Sequence, residues 1–218
     1  MAEMRTYQRA QAVVFRKTNE RFGGLSNMAP GYPLEINGTR IHTAEALYQA
    51  SRFPHLPDVQ HLIIRQISPM TAKMRSKPFR KDSRPDWERV RVPIMKWCLR
   101  VKLAQNWENF GQLLLETDTL PIVEDSRKDE YWGAKASEDG TLHGNNVLGR
   151  LLMELREKLK RDPSTLFEVQ PLPVDDFLLF GLTIPPIAAL ARKHLIVQPQ
   201  AKKILPPAQA SFLDSDHR

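Results

Sequence analysis

Residues 145–160 read NNVLGRLLMELREKLK, with Leu148, Leu151, Leu152, Leu155 and Leu159 recurring at steps of three and four. An α-helix turns once every 3.6 residues, so these leucines form one apolar stripe and the charged residues take the other face. A second stretch, TAEALYQASRF at 43–53, repeats the signal with Ala46, Leu47, Ala50 and Phe53; Thr43 stands ready as its cap and Pro54 as its stop. Immediately before it, LEINGTRIH at 34–42 sets Leu34, Ile36 and Ile41 about an Asn37-Gly38 pair. Asn-Gly accepts positive φ at both turn positions, so the pattern predicts a hairpin. Hairpin and helices together predict a compact α+β fold, with helices around a small β-sheet.

Working outward, the spacing predicts a strand over 12–18 and a loop over 21–33. It predicts further helices over 58–67, from about Asp86 through Val101, and over 108–116, then an extended piece over 119–124. Pro93 lies inside the Asp86–Val101 pattern and predicts a kink or break. Residues 131–146, YWGAKASEDGTLHGNN, read as loop. After Arg161 the texture turns proline-rich around the apolar island 175–190. The expected organisation is a main domain over 1–160, a packed C-terminal extension over 161–198 and a flexible tail over 199–218.

The chain has 218 residues, 41% hydrophobic and 26% charged, enough to bury a core. No run of about 18 apolar residues exists, which argues against a membrane helix. The N-terminal residues lack a secretory pattern, and the single Cys98 can form neither an internal disulfide nor a metal cluster alone. A reducing cytoplasm is the expected location. Net charge is +7, concentrated in one segment: Arg65–Lys102 holds twelve Lys and Arg against three acids, whereas 104–139 holds nine acids against three bases. The basic segment suits phosphates and the acidic one carboxylate chemistry; both patterns also suit the solvated faces of helices.

Rossmann, P-loop and zinc motifs are absent, and the six histidines are scattered without ligand spacing. Neither metal nor cofactor is expected. Glu45 falls in the first turn of its helix among Ala44, Ala46 and Leu47, as a reactive carboxylate or as plain compensation of the helix dipole. Asp129 precedes Tyr131-Trp132-Gly133, an aromatic-glycine loop that could stack a planar group or simply anchor itself to the core. Ser26-Asn27 could bind a sugar or phosphate, or shape a turn.

Four segments in order, RFGGLSNMAP (21–30), HTAEALYQASRF (42–53), DEYWG (129–133) and NNVLGRLLMELREKL (145–159), resemble the NADAR family of N-glycosidases. The run 68–90, basic and ending near Trp87, looks like the family's basic loop. The resemblance spans about residues 12–160. One departure is Ala46, where the family often has His. The resemblance implies cleavage of a ribosyl C1–N bond through an oxocarbenium-like state, with Glu45 as the catalytic carboxylate and Asp129 positioning ribose or water. It also implies Trp87, Tyr131 and Trp132 as stacking partners beside Gly133. Arg21, Ser26, Asn27, Lys102 and Asn146 would hold phosphates and ribose, Asn146 at a helix N-terminus suited to anions. The expected substrate is ADP-ribosylated guanine in DNA, with a cognate DNA ADP-ribosyltransferase toxin as operon partner. Alternatives are phosphoribosylamino-pyrimidine intermediates of riboflavin synthesis, or a module that binds ADP-ribose or NAD without cutting it.

Overall fold

The computed structural model describes residues 4–190. Its elements begin with β1 (Arg5–Gln8), β2 (Val13–Phe15), the hairpin β3 (Leu34–Ile36) and β4 (Thr39–Ile41), and α1 (Ala44–Ala50). Four helices follow: α2 (Pro57–Ile64), α3 (Pro69–Ser76), α4 (Trp87–Gln105) and α5 (Trp107–Leu115). Next come β5 (Ile122–Glu124), β6 (Lys135–Ala136), β7 (Thr141–Gly144) and α6 (Val147–Arg161). Four two-residue strands close the described part: β8 (Glu168–Val169), β9 (Leu178–Leu179), β10 (Leu182–Thr183) and β11 (Ile187–Ala188).

This is an α+β fold. In place of one small sheet, the strands form five: the antiparallel set β1-β7-β6, the parallel pair β2-β5, and the antiparallel pairs β3-β4, β8-β11 and β9-β10. The expected hairpin is present, with Asn37 and Gly38 both at positive φ. Thr43 caps α1 by accepting a hydrogen bond from Ala46 N at 3.3 Å. The stripe of α6 packs inward, with Leu148, Leu151, Leu152, Leu155 and Leu159 all buried in a core shared with α1, α4 and α5.

Three expectations need correction. Helix α4 continues through Pro93, so of the kink or break expected there the break does not occur. Pro93 is exposed, as is Arg89, whose carbonyl loses its helical N–H partner there. Residues 131–146 contain β6 and β7, not loop alone. β6 pairs with β7, and β7 pairs on its other edge with β1, more than 130 residues earlier in the chain; such short strands carry no periodicity of their own. The basic run 68–90 is helical at its start: Ser68 Oγ accepts from Thr71 N and Pro69 occupies the first helical position, which together launch α3.

Beyond Arg161, Trp97 meets Phe177 edge-on at 4.8 Å and donates from Nε1 to Gln170 O at 3.1 Å. Gln60, fully buried in α2, donates to Leu178 O and accepts from Phe180 N, which fastens the β9-β10 hairpin. Residues 161–190 therefore pack on α2 and α4. The tail expected over 199–218 lies outside the described residues, as does the end of the expected extension. No helix among the described residues is long and apolar enough to cross a membrane.

Candidate active site

The short parallel strands β2 and β5 end side by side, and α1, α3 and α4 close round that end to leave a cleft of about 390 Å³. Its walls carry the carboxylates Glu45, Glu88, Glu124, Asp125 and Asp129, and the cations Arg16, Arg52, Lys73, Arg80, Arg91 and Arg127.

Glu45 is only 6% exposed. Its backbone N–H donates to Asn27 O at 3.0 Å, which ties the loop before β3 to the first turn of α1. One helical turn on, Gln49 Nε2 donates to Glu45 Oε1 at 2.9 Å, and Ser76 Oγ donates to Gln49 Oε1 at 2.9 Å. Ser76 Oγ lies equally close to Lys73 O, at 2.8 Å, so its single hydrogen is shared between two acceptors, and it is the Glu45 carboxylate that selects the Gln49 N–H facing it. Asn27 lines the same wall; its Oδ1 is buried without a hydrogen-bond partner and is an acceptor open to a hydroxyl.

Asp129 spends one oxygen on the backbone: Oδ1 accepts from Tyr131 N at 3.0 Å and Trp132 N at 2.9 Å. The other oxygen remains for the cleft. The peptide that follows lies across the start of α6, where Val147 N donates to Tyr131 O, Leu148 N to Trp132 O and Asn146 N to Gly133 O, each at 3.0 Å. These are the N–H groups a helix start normally leaves free. They are consumed here, so the anion site expected at Asn146 is not available.

The sequence-expected residues divide accordingly. Glu45, Asp129, Ser26, Asn27, Trp87 and Trp132 line the cleft; Arg21, Lys102, Tyr131, Gly133 and Asn146 do not. Trp87 shows only 5% of its surface, and the Arg52 guanidinium lies over its ring at 4.4 Å. Arg91 covers Tyr131 at 3.9 Å. Trp132 is half-buried, packs at steep angles to Tyr48 and Tyr131, and has the Arg91 guanidinium farther off, 6.0 Å from its ring centroid. Lys102 lies behind the site, fully buried, donating to Gly24 O at 2.6 Å and Ser26 O at 2.9 Å. Burial lowers its ammonium to about 7. Its task is to hold the Ser26-Asn27 loop in place, not to bind phosphate. Arg21 is exposed against Phe22, and Arg16 is the cation that reaches the cleft from that side.

The reading of the sequence missed Glu124, Arg16, Gln49, Arg52 and Arg91. Spacing carried a signal for three of them: Gln49 and Arg52 follow Glu45 by four and seven residues, and Arg91 follows Trp87 by four, each on a shared helical face. Glu124 is a half-buried carboxyl at the end of a buried strand. Desolvation first, then the charges of Glu45 and Asp129, push it up to about 7 from an ordinary 4.5.

That displacement has a consequence for stability. Between about 4.5 and 7 the folded chain binds more protons at Glu124 than the unfolded chain does, so its contribution is full below 4.5 and is lost as pH rises through 7. Glu124→Gln should therefore melt above the wild type at pH 8. That advantage should vanish at pH 4; a constant difference across this range would contradict it.

The cleft thus sets the buried carboxylate of Glu45 and four further carboxylates among six cations, an arrangement suited to acid–base chemistry on an anionic ligand. The NADAR domain matches residues 14–160. N-glycosidase YbiA of Escherichia coli strain K12 is 39% identical over 150 residues, covering 66% of this chain and 86% of that protein. The riboflavin biosynthesis protein VVA0006 of Vibrio vulnificus is 34% identical, covering 69% of this chain but 39% of that longer protein. The NMR structure of E. coli YbiA superposes with a TM-score of 0.59 at 34% identity, over 72% of this chain and 92% of that one. The chain belongs to the NADAR family and is an N-glycosidase, so the binding-only alternative gives way to an enzyme.

Proposed function

We propose that the chain hydrolyses the ribosyl C1–N bond of ADP-ribosylated guanine in DNA. The observation that carries this reading is the set of six cations round the cleft: Arg91 is paired with Glu88, and the other five, without an ion pair among the described residues, are more than a single phosphate would engage. Glu45 faces the cationic C1 of the oxocarbenium-like state, the free oxygen of Asp129 accepts from a ribose hydroxyl or the attacking water, and Trp132 stacks on the base. A riboflavin-type phosphoribosylamino-pyrimidine is the second reading, favoured by the name of the Vibrio relative. Assaying both substrates side by side decides between them: turnover of the pyrimidine alone would sink the DNA reading.

The surface around α3 gives a second test. Arg84 of the basic run cannot be used to probe it, because it is 5% exposed and donates to Asp86 Oδ1 and Asp175 O. Arg75, Lys77 and Lys81 are exposed and stand outside the cleft. Changing all three to Glu should raise KM for an ADP-ribosylated oligonucleotide and leave free ADP-ribosyl-guanosine unaffected. The salt dependence of oligonucleotide binding should flatten by about 0.7 in slope for each phosphate that the protein no longer engages. An unchanged slope would mean that no strand crosses this surface.

A further inference from the structure

The backbone of Glu124 is held on both sides. Its N–H donates to Asn146 Oδ1 at 3.2 Å and its carbonyl accepts from Ala134 N at 2.8 Å. Asn146 is fully buried with a left-handed φ of 46°, and its Nδ2 donates to Ile122 O at 2.8 Å. One side chain thus grips β5 on both sides of Val123. Among the described residues no hydrogen bond engages the Glu124 carboxyl itself, whereas Glu45 receives one from Gln49 and Asp129 receives two from the backbone. Glu124 therefore has both carboxyl oxygens open to a ligand in the cleft. The charged groups facing it are Glu45 from α1 and Asp129 from the loop after β5, which disfavour its ionisation, and Lys73 from α3, which favours it. Arg16, Asp125 and Arg127 share the same wall, Asp125 already paired with Arg9.

We propose that Glu124 protonates the nitrogen leaving ribose C1, and that Asn146 is the positioning residue that fixes it there. This rests on the N-glycosidase class and not on the choice of leaving group. As the C1–N bond breaks, its electron pair goes to nitrogen, which takes the proton of the Glu124 carboxyl. Water then forms the C1–O bond and returns a proton to the Glu124 carboxylate, restoring the acid. Two carboxyl groups in one cleft thereby serve opposite ends of the reaction: Glu45 the cationic carbon, Glu124 the departing nitrogen. Loss of the Glu124 proton above about pH 7 sets the alkaline limit of kcat.

The test pairs the nitrogen-linked substrate that the enzyme turns over with 4-nitrophenyl ribofuranoside 5-phosphate, whose leaving group needs no proton. Glu124→Gln should lower kcat on the first by about 10²–10⁴-fold and spare the second to within a few-fold. It should also remove the alkaline limb of the kcat profile. Asn146→Ala should lower kcat on the first substrate more than it raises KM and again spare the second; a merely structural role would reduce both alike. A carbon-13 NMR titration of the glutamate carboxyls in the wild type should show one midpoint near 7 that is absent from Glu124→Gln. Equal losses on both substrates, an alkaline limb that survives in Glu124→Gln, or no carboxyl titrating near neutrality would overturn the assignment. Were neither the ADP-ribosylated oligonucleotide nor the pyrimidine turned over, the substrate reading would fall, while the titration would still report on Glu124.

Discussion

Glu45→Gln is expected to fold as the wild type does and to lose about 10²–10³-fold or more in kcat. The substitution is isosteric, and a glutamine oxygen can still accept from Gln49 Nε2, so the Ser76–Gln49 chain and the helix start survive. What disappears is the negative charge. The oxocarbenium-like state carries a positive charge that the bound substrate lacks, so the loss falls on the barrier and leaves affinity almost unchanged. KM within a few-fold of wild type beside a collapsed kcat is the expected signature. A kcat near the wild-type value would remove Glu45 from the mechanism.

Gly149→Ala should destabilise the chain strongly, because its added methyl meets the closest contact of any glycine in the described residues. Gly149 sits in the first turn of α6, directly beneath β5. A Cβ there would be driven into Ile122 O and would lie 2.5 Å from Asn146 Oδ1 and 2.6 Å from its Nδ2. The first obstacle is strand backbone and the second is the side chain that grips the strand, so neither yields without breaking the grip. Replacing glycine by alanine in a helix gains about 1 kcal/mol. Overpacking of this kind costs about 3 kcal/mol or more, and the steric term wins. The melting temperature should fall by at least about 4 °C for a chain of this size. Activity should fall with it, because the same grip positions Glu124 and the Trp132 loop. A variant as stable as the wild type would show that α6 and β5 can separate freely.

Elements whose information is local were legible in the sequence. The leucine stripe of α6, the capped α1 and the Asn37-Gly38 hairpin each depend on residues within about ten positions, and all three formed as the spacing predicts. The Glu45 position followed from the same local logic. Elements made by partners far apart in the chain were not legible: β1 pairs with β7 across more than 130 residues, and neither strand exceeds four residues. Such strands exist because a partner supplies their hydrogen bonds, and no periodicity announces that beforehand.

The site divides along the same line. Composition located a basic and an acidic segment, but tertiary structure decided which charges meet. It turned Arg80, Arg91 and Lys73 into the cleft, sank Arg84 and Lys102 out of reach, and set Arg52 over the indole of Trp87. It also spent the helix N-terminus at Asn146 on the carbonyls of Tyr131, Trp132 and Gly133. The upward push on the Glu124 carboxyl is the clearest case. A glutamate carries no mark in the sequence of whether it will titrate near 4.5 or near 7. That depends on the water removed from round it and on the carboxylates of Glu45 and Asp129 brought beside it, and both are properties of the assembled fold.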